Sequence, residues 1–254
     1  MWGRLLTCSG LVTRLGVSAT LLLVACTANA AELHVAAAAN LSNVLTELSG
    51  AFERESSIHI VPSLGATAQL TQQIENGAPF DVFLSADVEH IDQLIKGGFV
   101  FSNSRAIYAR GELVVWAPSH PNLHALDDLT KAEVRAIAIA KPELAPYGAA
   151  AVEALKNSRL WDKVEKKVVY APSISISKQF ADTGNADAAF TALSLTIGQN
   201  GNQFRVPDQL HKPIDQALGI VKTTKDLKAA QAFTAFVNGT QGRAILKRFG
   251  YGQP

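Results

Sequence analysis

Short apolar runs rich in β-branched residues alternate along this chain with longer stretches of helical periodicity, and this alternation constrains the fold most strongly. The strand signal covers residues 33–37, 58–62, 81–84, 113–117, 136–140, 167–170, 188–192 and 218–221. After the first of these runs, five apolar residues share one face of a helix expected over residues 41–53: Leu41, Val44, Leu45, Leu48 and Phe52. Strands separated by helices predict an α/β fold with parallel strands.

The first thirty residues have the pattern of an export signal. Arg4 and Arg14 precede an apolar stretch over residues 15–25, and the small-x-small sequence ANA at 28–30 predicts cleavage after Ala30. An alternative lies in the sequence LVAC, which resembles a bacterial lipobox and would make Cys26 the lipidated first residue of the mature chain. No later segment has the ~20 apolar residues of a membrane helix. We therefore expect a periplasmic protein, either free or anchored through Cys26.

Composition excludes several classes of function. The chain has 254 residues with 23 Lys+Arg against 22 Asp+Glu and no basic block, so we expect no nucleic-acid partner. Cys8 and Cys26 are its only cysteines and both precede the mature fold, so we expect no disulfide in it. The motifs GxSxG, HExxH and the Walker loop do not occur, which argues against a hydrolase or an NTPase.

Small, hydroxyl-bearing or amide residues follow four of the predicted strands. Asn40 follows the first and Thr67 the second, each placed to cap the next helix, while Tyr147 follows the fifth and the stretch 172–177 (PSISIS) the sixth. Ligands gather at the carboxyl ends of parallel strands. Four helix starts, each carrying about half an elementary charge, would together oppose about two negative charges. Asn and Thr are also ordinary caps, so the spacing leaves both interpretations open.

Seven segments in order along nearly the whole mature chain carry a family resemblance. They are AAAANL (36–41), GATAQL (65–70), GAPFDVFLSAD (77–87), YARGELVVWAP (108–118), AIAKPELAPYGAA (138–150), GNADAAFTALS (184–194) and GRAILKRFGY (242–251). Together they resemble the periplasmic molybdate-binding proteins of molybdate ABC importers. The resemblance implies a type II periplasmic binding protein fold, in which two α/β lobes joined by two crossing strands surround a ligand cleft. Lobe 1 would hold residues 31–110 plus 208–254, and lobe 2 residues 111–207.

The resemblance also implies a ligand and its donors. Molybdate or tungstate would be bound as an oxyanion by uncharged groups alone. Matched positions give Asn40 with the backbone of Ala39, then Thr67 with Ala66 beside it. Across the cleft they give Tyr147, through its hydroxyl or backbone, and the backbone N–H of Ile174.

This sequence departs from some relatives at two of these positions. Asn40 stands where many members have serine. Ala192 stands where some members carry a tyrosine that binds the ligand, and the phenol of Tyr147 can take the place of that tyrosine. The resemblance further implies a monomer without a catalytic residue or a cofactor, which delivers its ligand to the membrane permease of an ABC importer.

Three other interpretations remain at this point. In the first, the ligand is another tetrahedral oxyanion, notably sulfate. In the second, the protein is a periplasmic enzyme that uses Asp81 with Asp87 or a serine between 173 and 177. His120 and His124 could form a metal pair, although Pro121 disfavours the helix that would align them. We expect the two aspartates to have structural roles in strand-end and loop hydrogen bonds.

Overall fold

The computed structural model describes residues 31–253, so the predicted leader, its cleavage site and Cys26 lie outside the described residues. The strands are β1 (Glu32–Ala38), β2 (His59–Gly65), β3 (Val82–Leu84), β4 (Ala106–Gly111), β5 (Leu113–Trp116), β6 (Ile137–Ala140), β7 (Val168–Ala171), β8 (Ala188–Ala192), β9 (Gln203–Arg205) and β10 (Ile214–Ile220). The helices are α1 (Ser42–Ser56), α2 (Thr67–Glu75), α3 (Glu89–Lys96), α4 (Pro146–Asn157), α5 (Trp161–Val164), α6 (Ile174–Asp182), α7 (Leu193–Thr196), α8 (Leu227–Asn238) and α9 (Thr240–Arg248). In this part of the chain no helix is both long and apolar enough to cross a bilayer.

The strands form two five-stranded sheets of mixed direction. The first sheet has the order β2-β1-β3-β10-β4 and the second β7-β6-β8-β5-β9. β10 runs antiparallel to β3 and β4, and β5 runs antiparallel to β8 and β9, whereas the remaining pairs are parallel. The expectation of parallel strands alone is therefore wrong, while the α/β class and the two-sheet architecture that the family resemblance implied are confirmed.

The chain passes between the two sheets twice. β4 of the first sheet continues through Glu112 into β5 of the second, and residues 206–213 lead back from β9 to β10. β4 and β10 pair with each other, with Gly111 opposite Ile214, so the two crossings lie side by side. The two sheets are thus connected by two neighbouring crossings of the chain.

Helices cover both faces of each sheet. On one face of the first sheet, the predicted apolar stripe of α1 is buried, and the Phe52 ring meets Phe233 of α8 edge to face at 5.2 Å. On the other face, Leu70 of α2 and Ile91 of α3 pack against Phe83. The second sheet packs α4 on one face and Ala181 of α6 on the other. The sheets are thus rigid supports for the helices that begin at their edges.

The sequence missed β4 and β9 as strands and placed the start of β10 too late, at residue 218. β4 and β9 are both edge strands, with a partner strand on one side only, and two of the three residues of β9 are exposed. An edge strand buries less apolar surface and needs less apolar sequence. The first half of β10 escaped recognition because it contains the polar residues Asp215 and Gln216.

Gly148 sets the position of α4. A Cβ atom at this residue would overlap the carbonyl oxygen of Ala140 at the end of β6, so only glycine allows the first turn of α4 to lie directly against the strand. Tyr147, the neighbouring residue, is held in place by this contact.

We predict that Gly148→Ala lowers the free energy of unfolding by about 1–3 kcal/mol, because the added methyl group overpacks the junction between α4 and β6. Chemical denaturation measures the change. Gly50→Ala is the matched control: its Cβ would meet nothing closer than the Arg54 side chain at 3.5 Å, and Ala within a helix is favoured over Gly by about 0.5–1 kcal/mol. Equal stability of Gly148→Ala and the parent protein would contradict this role for Gly148.

Candidate functional site

The helix starts singled out in the sequence meet around one small cavity between the two sheets. In this closed arrangement the volume of the cavity is about 10 Å³. All six residues that the resemblance implied lie in its wall, which consists of Ala38, Ala39, Asn40, Gly65, Ala66, Thr67, Ala86, Ala145, Pro146, Tyr147 and Ile174. None of these lining residues carries a charge, and the sequence did not single out Ala86.

Backbone N–H groups at helix starts face this region. Thr67 is the first residue of α2, Tyr147 the second of α4 and Ile174 the first of α6, while Ala39 begins a 3₁₀ turn that continues into α1. None of these helices has an acidic residue in its first turn. Since the first N–H groups of a helix have no intrahelical acceptor, the positive ends of these helices lie beside the cavity without an acidic residue to balance them, and only α6 has a side-chain cap, Ser173.

The predicted capping roles of Asn40 and Thr67 are wrong. Ala66 is the N-cap of α2, and Asn40 lies within the 3₁₀ turn Ala39–Leu41, with no side-chain cap on either element. Both side chains make tertiary hydrogen bonds instead, Thr67 with the backbone of Ala86 and Asn40 with Gln216 and Tyr251. These partners are distant in sequence, so local spacing could not reveal them.

Two hydroxyl groups in the cavity wall already accept a hydrogen bond from the protein. Thr67 Oγ1 accepts from the N–H of Ala86 at 3.3 Å, and the Tyr147 hydroxyl accepts from Nε2 of Gln216 at 2.9 Å. Among residues 31–253, neither hydroxyl has an acceptor for its own proton. Each is therefore a donor that remains available to a ligand.

Asn40 has a different position from the one expected of a side-chain donor. Its Nδ2 donates to Gln216 Oε1 at 3.0 Å and to the Tyr251 hydroxyl at 2.8 Å, which uses both of its protons. Oδ1 of Asn40 is buried without a partner among the described residues. The side chain of Asn40 therefore supports the site from behind.

Further polar groups connect the two sides of the cavity. Ser194 of α7 donates to the carbonyl oxygen of Asn40 at 2.8 Å, and the N–H of Ala68 donates to the carbonyl oxygen of Leu144 at 3.2 Å. Tyr251 donates to the same Asn40 carbonyl at 3.0 Å. The sequence did not identify Ser194, Gln216 or Tyr251 as part of the site, because isolated polar residues in apolar segments carry no recognisable motif.

Burial keeps the tyrosine in its donor form. Tyr147 is 1% exposed, and desolvation raises the pKa of its hydroxyl well above 10, with the Gln216 hydrogen bond acting in the opposite direction. The hydroxyl therefore stays protonated and uncharged at neutral pH.

The two aspartates of the enzyme interpretation lie outside the cavity wall, and each has its own hydrogen-bond partners. Asp81 accepts from the N–H of His34 at 2.8 Å and from the Thr224 hydroxyl at 2.7 Å. Asp87 lies 2.7 Å from Nδ1 of His90, a contact that helps to raise the pKa of the imidazole against its own desolvation. Neither aspartate lines the cavity.

The serines and histidines considered in the sequence are also placed by the structure. Ser173 caps α6 by accepting from the N–H of Ile176, and Ser177 donates to the carbonyl oxygen of Phe190. His120 lies 3.3 Å from Asp187, while His124 contacts Asp128 through its backbone N–H. The described residues contain no cluster of three or more potential metal ligands.

Comparison with known proteins agrees with this architecture. The sequence profile of the bacterial extracellular solute-binding proteins matches residues 33–252. The chain belongs to this family. The solute-binding protein is 38% identical to the molybdate-binding protein ModA of Azotobacter vinelandii over 252 residues, which cover 96% of this chain and 97% of the relative. It is 35% identical to ModA of Rhodobacter capsulatus over 225 residues, or 88% of this chain and 89% of that protein.

A solved structure of a molybdate-binding protein is also similar to this chain. The solute-binding protein matches the periplasmic molybdate-binding protein of Azotobacter vinelandii with a TM-score of 0.83 and 33% sequence identity, over 87% of this chain and 99% of the other. The family resemblance read from the seven sequence segments is thereby confirmed.

Proposed function

We propose that this solute-binding protein captures molybdate, and also tungstate, in the periplasm as a monomer and delivers it to the membrane permease of an ABC importer. The observation that carries the proposal is the cavity in which helix starts and two hydroxyl donors converge with no charged lining residue. The relatives with 38% and 35% identity are named for molybdate binding, which supports the same ligand. The family and the export signal expected over residues 1–30 support periplasmic localisation, with Cys26 lipidation as the alternative.

The donors available in the cavity suit a dianion. We assign the backbone N–H groups of Ala39, Asn40 and Ile174, the hydroxyl of Thr67 and the hydroxyl of Tyr147 to its oxygens, with the Ala66 segment completing the wall. Dehydration of a buried charge is costly, but hydrogen bonds to an ionised group contribute about 1.5–3 kcal/mol each and several of them together offset that cost. No cofactor is needed for this chemistry.

Binding requires the two sides of the cavity to separate. Asn40, Thr67, Tyr147 and Ile174 are at most 3% exposed, so an ion cannot reach them in the closed arrangement. We propose that residues 31–110 with 208–254, and residues 111–207, form two lobes that open about the two chain crossings. The hydrogen bonds from Ser194 to Asn40 and from Gln216 to Tyr147 then close again around the ligand. The ligand shifts this equilibrium by its higher affinity for the closed form.

Binding is favoured over catalysis by the roles of the acidic residues. The two aspartates of the enzyme interpretation stabilise a strand end and a loop, and the lining residues include no acid–base pair. Sulfate remains the alternative ligand, because it is also a tetrahedral dianion without a proton, and cavity size must distinguish the two.

Calorimetric titration of the mature protein with molybdate, tungstate, sulfate and phosphate tests the proposal. We expect molybdate and tungstate to bind more tightly than sulfate. Phosphate should bind more weakly than all three, because it carries a proton and a cage of donors contains no acceptor for it. Asp81→Asn with Asp87→Asn serves as a control whose affinity should stay close to that of the parent. Tight binding of sulfate without molybdate would contradict the assignment, and ligand turnover that depends on the aspartates would favour the enzyme.

We also predict that Thr67→Val weakens molybdate binding by about 1–3 kcal/mol, because one oxygen of the ligand loses its donor and the N–H of Ala86 loses its acceptor. Thr71→Val is the matched control. Thr71 is a buried threonine one turn along the same helix whose hydroxyl donates to the Thr67 carbonyl and does not line the cavity. Equal losses in both variants would indicate damage to α2 rather than the loss of a ligand donor.

A further inference from the structure

Gln216 occupies the centre of the buried hydrogen bonds behind the cavity. It lies in β10, is 0% exposed and is not a lining residue. Its Oε1 accepts from the Tyr108 hydroxyl at 2.7 Å and from Asn40 Nδ2 at 3.0 Å, while its Nε2 donates to the Tyr147 hydroxyl at 2.9 Å. One side-chain amide thus connects Asn40 on one wall of the cavity to Tyr147 on the other.

The orientation of this amide decides what Tyr147 can do. A phenol has one proton to donate, and its oxygen can accept hydrogen bonds. With Nε2 facing it, the Tyr147 oxygen accepts and its proton is left for another acceptor. If Oε1 faced it instead, the tyrosine would donate to Gln216 and could offer only oxygen lone pairs to a ligand.

A donor on the far side sets the orientation. Asn40 Nδ2 faces Oε1, and Asn40 is itself held by the Tyr251 hydroxyl. The Tyr108 hydroxyl also faces Oε1, but its single proton has a second acceptor in the Ser85 carbonyl oxygen at 3.1 Å. Rotating the Gln216 amide by half a turn would place Nε2 against the Asn40 amino group, which is an unfavourable contact between two donors. Asn40 therefore acts on Tyr147 through Gln216, although its own amide protons do not reach the cavity.

Gly111 packs directly against this hydrogen bond. A Cβ atom at this position would overlap the Tyr147 hydroxyl oxygen and lie 2.6 Å from Gln216 Nε2. Gly111 ends β4, next to the crossing into β5, so the bond lies at the connection between the two sheets. There is no space for the hydroxyl to move away from Gln216 on this side.

We propose that Gln216 is a positioning residue for the ligand: by donating to the Tyr147 oxygen, it reserves the only proton of that hydroxyl for an oxygen of the bound anion. This inference rests on the proposed function, because it assumes an oxyanion in the cavity. It concerns a residue that does not touch the ligand and acts only through Tyr147.

A double-mutant cycle tests the inference. Gln216→Met removes the amide at similar length, Tyr147→Phe removes only the hydroxyl, and the molybdate affinity of both and of their combination is measured by calorimetry. We expect each single variant to bind about tenfold or more weakly, as for the loss of one charge-assisted hydrogen bond. The combined variant should bind no more weakly than Tyr147→Phe alone, because Gln216 has nothing left to orient.

A purely structural role gives a different result. If Gln216 only supported the fold, Gln216→Met would reduce affinity by the same factor with and without the Tyr147 hydroxyl, and that outcome overturns the proposal. Unchanged affinity of Gln216→Met in the presence of the hydroxyl also overturns it.

A second variant approaches the same bond without changing the amide. Gly111→Ala should weaken binding by displacing the Tyr147 hydroxyl, and Tyr147→Phe should cancel most of this additional loss by making room for the methyl group. If Gly111→Ala weakens binding equally in both backgrounds, the bond is not what Gly111 protects and the proposal fails. Titration of the parent protein first identifies the ligand and so tests the proposed function by itself. If sulfate proves to be the ligand, the double-mutant cycle of Gln216 and Tyr147 can be measured with sulfate.

Discussion

Backbone N–H groups without an intrahelical acceptor are the constraint on which the rest of this structure depends. Helices that follow strands of both sheets begin at one cavity. Their positive ends are balanced neither by acidic residues in the first turns nor by charged lining residues. Small residues such as Ala38, Gly65 and Ala145 form the wall between these ends, so the backbone itself faces the cavity. We propose that an anion supplies the missing acceptors without a cationic side chain.

The polar network behind the cavity is the second level of organisation. It consists of uncharged groups in which each hydrogen bond has a defined donor and acceptor. Gln216 donates to Tyr147, Asn40 donates to Gln216, and Ser194 donates to the Asn40 carbonyl. The bonds from Gln216 to Tyr147 and from Ser194 to Asn40 join groups from different sheets, so they also hold the two sides of the cavity together. Burial makes such a network costly to leave half satisfied, which favours a single closed geometry.

How much the sequence could predict depended on whether a feature was local. The apolar stripe of α1, most strand positions and the convergence of Thr67, Tyr147 and Ile174 followed from periodicity, from helix starts after strands and from the family resemblance. The edge strand β9 was missed because it buries little apolar surface, whereas β4 was missed although Tyr108 and Ala109 are buried. Gln216 and Tyr251 were missed because their hydrogen bonds with Asn40 and Tyr147 span more than 60 residues of sequence, and no spacing rule connects residues so far apart. The capping roles predicted for Asn40 and Thr67 failed for the same reason, since tertiary partners replaced local ones.

The central claim is that a dianion is held only by uncharged donors. It is tested most directly by measuring the number of protons taken up or released when molybdate binds, from calorimetry in buffers of different ionisation enthalpy between about pH 6 and pH 9. Because the donors are N–H groups and hydroxyls, and burial raises the pKa of Tyr147 well above 10, the account predicts no proton exchange over this range. Uptake or release approaching one proton per bound ion would contradict it, since that result requires a titrating side chain at the ligand.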